Sequence, residues 1–95
     1  MTIITLSNEN YKEEIKSGRV VVDFYATWCG PCKMALTKLE ELSNSLSDIK
    51  FCKADVDVCT DFVKEVNISN VPTFIEFQDG KEIKRGGISF LTDLN

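Results

Sequence analysis

Four cysteines and no histidine set the chemistry open to this chain. Cys29 and Cys32 stand in the run Trp28-Cys29-Gly30-Pro31-Cys32, and Cys52 and Cys59 follow with six residues between them. Without an imidazole, a Cys-His protease pair, a Ser-His-Asp triad and mixed Cys/His zinc sites are excluded. What remains is thiol chemistry: a dithiol-disulfide couple, an all-thiolate metal site, or inert buried thiols. A Cys-x-x-Cys pair alone does not separate the first two. A structural zinc site, however, usually has a second close pair, and Cys52 and Cys59 lie across a strand end instead, so no metal is expected. A thiol just before a helix sits near unpaired N–H groups and the positive end of the helix dipole, which favours a thiolate. Cys29 occupies that place. Cys32, within the first turn on the same side, is close enough to pair with it and less exposed.

The elements that must hold this pair are legible in the hydrophobic pattern. Ile3 to Leu6 reads as a short strand, and Ser7 or Asn8 can cap a helix carrying Tyr11 and Ile15 on one face, ended by Gly18. Val20-Val21-Val22-Asp23-Phe24-Tyr25 is too continuously apolar for a half-exposed strand and reads as a central one, covered on both faces. Pro31 suits the first turn of a helix to about Leu46, with Leu36, Leu39, Leu42 and Leu46 at helical spacing. Ile49 to Val56 reads as a third strand, with a short helix from about Cys59 to Val66. Thr73–Phe77 and Lys81–Arg85 form a hairpin around Asp79-Gly80. Gly86-Gly87 breaks that strand, and Ser89 can cap a last helix of about two turns to Asn95. Alternating strands and helices followed by a hairpin predict an α/β fold: one domain, 1–95, with a mixed sheet of about five strands flanked by about four helices.

Two further residues attract attention on physical grounds. A carboxylate at Asp23, in the middle of a buried strand, is costly; desolvation would raise its pKa toward neutrality, which suits a proton acceptor. Trp28 is either a structural aromatic or, beside a reactive sulfur, a flat apolar contact for a protein substrate. Pro72, read from its neighbours alone, is an ordinary trans-proline opening a strand.

Composition narrows the classes. At 95 residues there is room for one modest core, and a hydrophobic fraction of 43% with 27% charged is that of an ordinary globular protein. No segment approaches a membrane span. A net charge of -4, with lysines interspersed among acids, disfavours nucleic acid as a partner. The start, Met1 to Leu6, lacks the basic residues and long apolar stretch of a secretory signal, so a cytoplasmic location is expected.

The segment Val22-Asp23-Phe24-Tyr25-Ala26-Thr27-Trp28-Cys29-Gly30-Pro31-Cys32-Lys33 resembles the active-site segment of thioredoxins nearly residue for residue. The resemblance continues through Lys53-Ala54-Asp55-Val56-Asp57, Val71-Pro72-Thr73-Phe74 and the Asp79-Gly80 hairpin. It implies a thioredoxin fold and a protein-disulfide reductase with Cys29 as nucleophile and Cys32 as resolving thiol. It implies Asp23 as proton relay with Lys53 as its tuning partner, and a cis bond before Pro72. The docking surface it implies comprises Trp28, Gly30, Pro31, Val71, Pro72, Gly86 and Gly87. Some eukaryotic members carry an extra, oxidisable cysteine at the position of Cys59, so a regulatory role is an expectation there; Cys52 reads as a small buried hydrophobe. No bound cofactor is implied. NADPH enters indirectly through thioredoxin reductase, and the other expected partners are disulfide proteins of the peroxiredoxin, ribonucleotide reductase or methionine sulfoxide reductase type, met by a monomer.

Gly30-Pro31 gives the direction, since this dipeptide belongs to reducing thioredoxins and the oxidants and isomerases of the superfamily typically differ there. The alternatives are an isomerase or oxidant on the same fold, and a redox-independent binding module. Three departures stand out: Thr37 replaces a helix-kinking proline, the final helix is short, and Gly80 to Gly87 is one residue shorter than in the family.

Overall fold

The computed structural model describes residues 3–94. In chain order it has β1 (Ile4–Thr5), α1 (Tyr11–Ile15), β2 (Arg19–Tyr25), α2 (Gly30–Ser45), β3 (Lys50–Asp55), α3 (Thr60–Val66), β4 (Thr73–Gln78), β5 (Lys81–Gly86) and α4 (Ser89–Thr92). The five strands form one sheet in the order β1-β3-β2-β4-β5. β1, β3 and β2 run parallel, β4 is antiparallel to β2, and β5 is antiparallel to β4. This is the mixed sheet and four-helix arrangement that the alternating pattern predicts. None of the described helices is long and apolar enough to cross a membrane.

Side-chain alternation along β2 divides the core in two. Val20, Val22 and Phe24 join Tyr11 and Ile15 of α1 and Phe62 of α3 on one face; Val21 joins Ala35, Leu39 and Leu42 of α2 and Phe90 and Leu91 of α4 on the other. Both faces of β2 are thus buried, which explains its unbroken β-branched run. Phe62 is the hub of the first layer. Its ring stacks on Tyr11 at 4.3 Å between centroids and meets Phe24 edge-on at 4.9 Å. α1 has five residues and α3 seven, too few to hold helical form alone, so this packing is what keeps them folded.

Capping differs from expectation at the first helix. Ser7 Oγ accepts from the N–H groups of Glu9 and Asn10, and Asn10 closes the turn by accepting from Ser7 N, but α1 begins only at Tyr11. Asn8 serves a distant helix instead: its Oδ1 accepts from Asp61 N at 3.0 Å, in the first turn of α3. The hairpin closes as predicted, with Asp79 at φ 53° and Gly80 at φ 85°. Asp79 and Gly18 exchange two hydrogen bonds, Gly18 N to Asp79 Oδ1 at 2.8 Å and Asp79 N to Gly18 O at 3.0 Å, which ties the hairpin tip to the turn before β2. On β5 the register shifts between Glu76 and Phe77, leaving Ile83 without a cross-strand partner and exposed as a bulge. α4 spans Ser89–Thr92, shorter than the expected two turns, with Ile88 and not Ser89 at the N-cap position and no side-chain cap; Asn95 lies outside the described residues.

Replacing Phe62 with Ala removes the ring that joins α1, α3 and β2, and is expected to lower unfolding stability by about 3–5 kcal/mol. Urea midpoints at unchanged m-value measure this loss.

Candidate active site: a disulfide at the head of the central helix

β2 and β3 are adjacent and parallel, yet the chain leaving β2 turns to the α2 face and the chain leaving β3 turns to the α3 face. Diverging connections of this kind open a crevice at the carboxyl ends of the strands, where α/β sheets place their sites. Ala26, Thr27 and Trp28 carry the chain from β2 into it, and Cys29 is the N-cap of α2. Cys29 and Cys32 form a disulfide with Cα atoms 5.4 Å apart. Pro31 stands in the first turn, where no N–H is missed, and Cys29 Sγ accepts from Cys32 N at 3.2 Å. The head of a 16-residue helix therefore points its unpaired donors and dipole at this sulfur, the arrangement that stabilises a thiolate once the bond is reduced.

Cys29 is 6% exposed and Cys32 3%, so the order of exposure is the expected one, but both are nearly covered. Val71 packs against both. The Val71–Pro72 bond is cis, and Val71 O lies 4.0 Å from Cys29 Sγ. Trp28, 71% exposed, stands beside the pair, and its Nε1 donates to Asp57 Oδ2 at 3.1 Å. A groove of about 480 Å³ runs between Trp28, Val56, Val63, Ile68 and Val71. A second, of about 500 Å³, lies beyond Pro72 and is floored by Gly86 and Gly87. Side chains added at Gly30 or Gly87 would meet nothing of this chain within 4 Å, whereas one at Gly86 would press on Phe90 Cβ at 3.3 Å.

Asp23 is fully buried on the α2 side of β2, and neither carboxylate oxygen has a hydrogen-bond partner among the described residues. Burial pushes its pKa up to about 7, while the positive charge of Lys53, its neighbour in the β2–β3 register, pulls it down. The group can thus exchange a proton near neutral pH.

The other two cysteines lie elsewhere. Cys52 is wholly buried, as expected of a small hydrophobe, and burial pushes its thiol pKa up to about 12. Cys59 departs from the surface placement its resemblance suggested: it too is wholly buried, its thiol donates to Leu6 O at 3.1 Å, and burial followed by the Asp55 charge raises its pKa. Both belong to the α1–α3 core layer, apart from Cys29 and Cys32, and among the described residues no three His, Cys, Asp or Glu side chains converge as metal ligands. Sequence reasoning missed two participants. Asp57 was part of a matched segment but nothing in its spacing pointed to the Trp28 indole, and Asn70, in the wall shared by both grooves, gave no signal at all.

A disulfide in a Cys-x-x-Cys turn at a helix head and beside a cis-proline, in a sheet whose central strand buries a carboxyl group, defines a thiol-disulfide oxidoreductase. The thioredoxin family model matches residues 2–89, and the chain belongs to the thioredoxin family. Thioredoxin of Chlamydia trachomatis is 42% identical over 80 residues, covering 84% of this chain and 78% of its own. Thioredoxin-2 of Saccharomyces cerevisiae is 43% identical over 81 residues, covering 83% and 78%. Among solved structures, Plasmodium falciparum thioredoxin superposes with a TM-score of 0.91 at 31% identity, covering 97% of this chain and 95% of that one. A structure addressing the thiol resolving mechanism of yeast mitochondrial 1-Cys peroxiredoxin via glutathione/thioredoxin systems contains a chain with a TM-score of 0.83 at 39% identity, covering 90% and 82%. The chain acts as a protein-disulfide reductase.

The raised pKa of Asp23 sets a pH dependence of stability. Below the ordinary carboxyl value of 3.8 the group is neutral whether the chain is folded or not. As pH rises from there to about 7 the unfolded chain ionises first, so stability falls through this window and levels off above it. Asp23→Asn is expected to flatten that fall and to stabilise the protein above pH 7, by at most ~4 kcal/mol at ~1.36 kcal/mol per pH unit. Denaturation at pH 4, 5.5 and 8 tests the sign.

Proposed function

We propose that Cys29 is the attacking sulfur and Cys32 the resolving one, in a cycle recharged by thioredoxin reductase at the expense of NADPH. The observation that carries this reading is the place of the two sulfurs: Cys29 Sγ caps α2 and faces Val71 O, while Cys32 lies behind it on the first turn. In the reduced protein the Cys29 thiolate attacks one sulfur of a substrate disulfide, forming a mixed disulfide and expelling the other substrate sulfur as thiolate. Cys32 gives its proton to the Asp23 carboxylate and attacks Cys29 Sγ. The Cys29–Cys32 bond forms, the mixed disulfide breaks, and the second substrate thiolate leaves, so two electrons pass to the substrate. Lys53 tunes Asp23 by stabilising its charged form.

Trp28, Gly30, Pro31, Val71, Pro72, Gly86 and Gly87 form the docking surface. The cis bond leaves the Val71 backbone free to pair with an extended substrate segment by strand addition. The open space around Gly30 and Gly87 supports their part in it, because the protein's own packing does not require a glycine at either position. Substrates are disulfide proteins of the peroxiredoxin, ribonucleotide reductase or methionine sulfoxide reductase type; the yeast peroxiredoxin system among the structural relatives supports the first. The protein works as a monomer, in the cytoplasm, with no cofactor of its own.

In NADPH-coupled reduction of insulin with a thioredoxin reductase present, the wild type is expected to turn over and Cys29→Ser to fall to background. Cys32→Ser is expected to stall as a mixed disulfide detectable by mass. No turnover by the wild type across several reductases would overturn the reading.

A further inference from the structure

We propose that Arg85 makes the groove beyond Pro72 a subsite for an acidic side chain, so that of the two arms of a bound substrate segment only one favours a carboxylate. The inference rests on the reading of Val71 as the substrate ledge and adds a charge preference to it. The two grooves share Ser69, Asn70 and Val71 as a common wall, so a segment lying along Val71 sends one arm toward Trp28 and the other toward Arg85. No described residue lining the Trp28 groove is charged, and the acid beside it, Asp57, accepts from the indole. Among the described residues, Arg85 is the single charged one in the lining of the other groove.

A bulge sets the direction of this guanidinium. Glu82 and Arg85 are three residues apart, which in a regular strand places side chains on opposite faces. The register shift leaves Glu82 opposite Phe77 and Arg85 opposite Ile75, so both stand on the same face as those two core residues. There Arg85 Nε and Nη2 donate to the two carboxylate oxygens of Glu82, and Nη2 also donates to Val66 O at 2.8 Å, at the end of α3. A guanidinium carries five N–H donors, and these contacts use three of them. Nη1, with the remaining donors, makes no hydrogen bond among the described residues.

Such a group suits a carboxylate. Held by Glu82 and Val66, the side chain loses little further freedom when Nη1 takes up a partner. Glu82 lies outside the groove lining, so an incoming carboxylate meets the cation first. The chain as a whole carries a net charge of -4, so it repels acidic segments in general, and an acid gains only where a local cation outweighs that field. The Arg85 side chain is 38% exposed, and the gain is therefore that of a solvent-screened ion pair.

The test uses the reduced protein in single-turnover reactions at low ionic strength, without a reductase. The substrates are symmetric cystine peptides carrying one Glu, or one Gln, at each position flanking the cysteine in turn. Each rate is divided by that of dithiothreitol on the same peptide, which cancels the intrinsic reactivity of the disulfide. The wild type is expected to reduce the Glu peptide roughly 2- to 5-fold faster than its Gln counterpart at one position on one side of the cysteine, and no faster on the other side. Raising salt to about 1 M should remove the gain. In Arg85→Gln the Glu-to-Gln ratio at that position should fall to unity or below, and Arg85→Glu should invert it. A residue that only steadied β5 would move both rates together and leave the ratio alone. Absence of any position at which Glu helps the wild type, a gain on both sides of the cysteine, or a gain that survives in Arg85→Gln would each overturn the proposal. Failure of the wild type to reduce the Gln peptides would instead tell against the ledge itself.

Discussion

The N–H groups at the head of α2 have no carbonyls to meet, and in this chain they meet sulfur. Cys29 is the N-cap of a 16-residue helix and its Sγ takes the Cys32 N–H. One of the two core layers keeps that helix head where it is. α2 is anchored through Ala35, Leu39 and Leu42 to Val21, Phe51 and Phe74 of three adjacent strands, so the sulfur is held by the sheet and not by a loop. Pro31 can sit between the cysteines because the first helical turn has no use for its missing donor. The same unpaired donors that make a helix end costly to bury lower the cost of a thiolate.

The second constraint is a cost that the fold carries at Asp23. A carboxyl group without hydrogen-bond partners in the middle of β2 opposes folding whenever it is charged, and an apolar residue would fill the site better. On the proposed cycle, what the chain gains is a group whose proton affinity falls in the range where a thiol must be deprotonated. Burial opposes the charged form of Asp23, and the Lys53 charge moderates that opposition.

Much of this was legible in the residues. Hydrophobic periodicity located the strands, α2 and α3 to within a residue or two, because each is buried on a face that its pattern declares: Leu39 and Leu42 on α2, and the Val20–Phe24 run on β2. The start of α1 and the end of α4 were less legible, since neither short helix carries a long pattern. The turn at Asp79-Gly80 followed from the positive φ it requires. Contacts between residues distant in sequence were not legible. Asn8 caps α3 across 53 positions, where local spacing suggested α1. Cys59, at a helix start, carried the expectation of an oxidisable thiol, but the loop after β3 turns it inward onto Leu6. The Trp28–Asp57 and Asn70–Thr73 bonds depend on how two loops meet at the site, which no periodicity encodes. The cis state of Val71–Pro72 came from family resemblance alone.

If this disulfide belongs to a reductant, the redox potential of the Cys29–Cys32 couple must be low. Equilibration against dithiothreitol or glutathione buffers, with the oxidised fraction read from alkylated species, gives that potential. Reducing thioredoxins lie at about -270 mV, and a value close to that is expected here. A value of about -180 to -120 mV, the range of disulfide isomerases and oxidants, would contradict it.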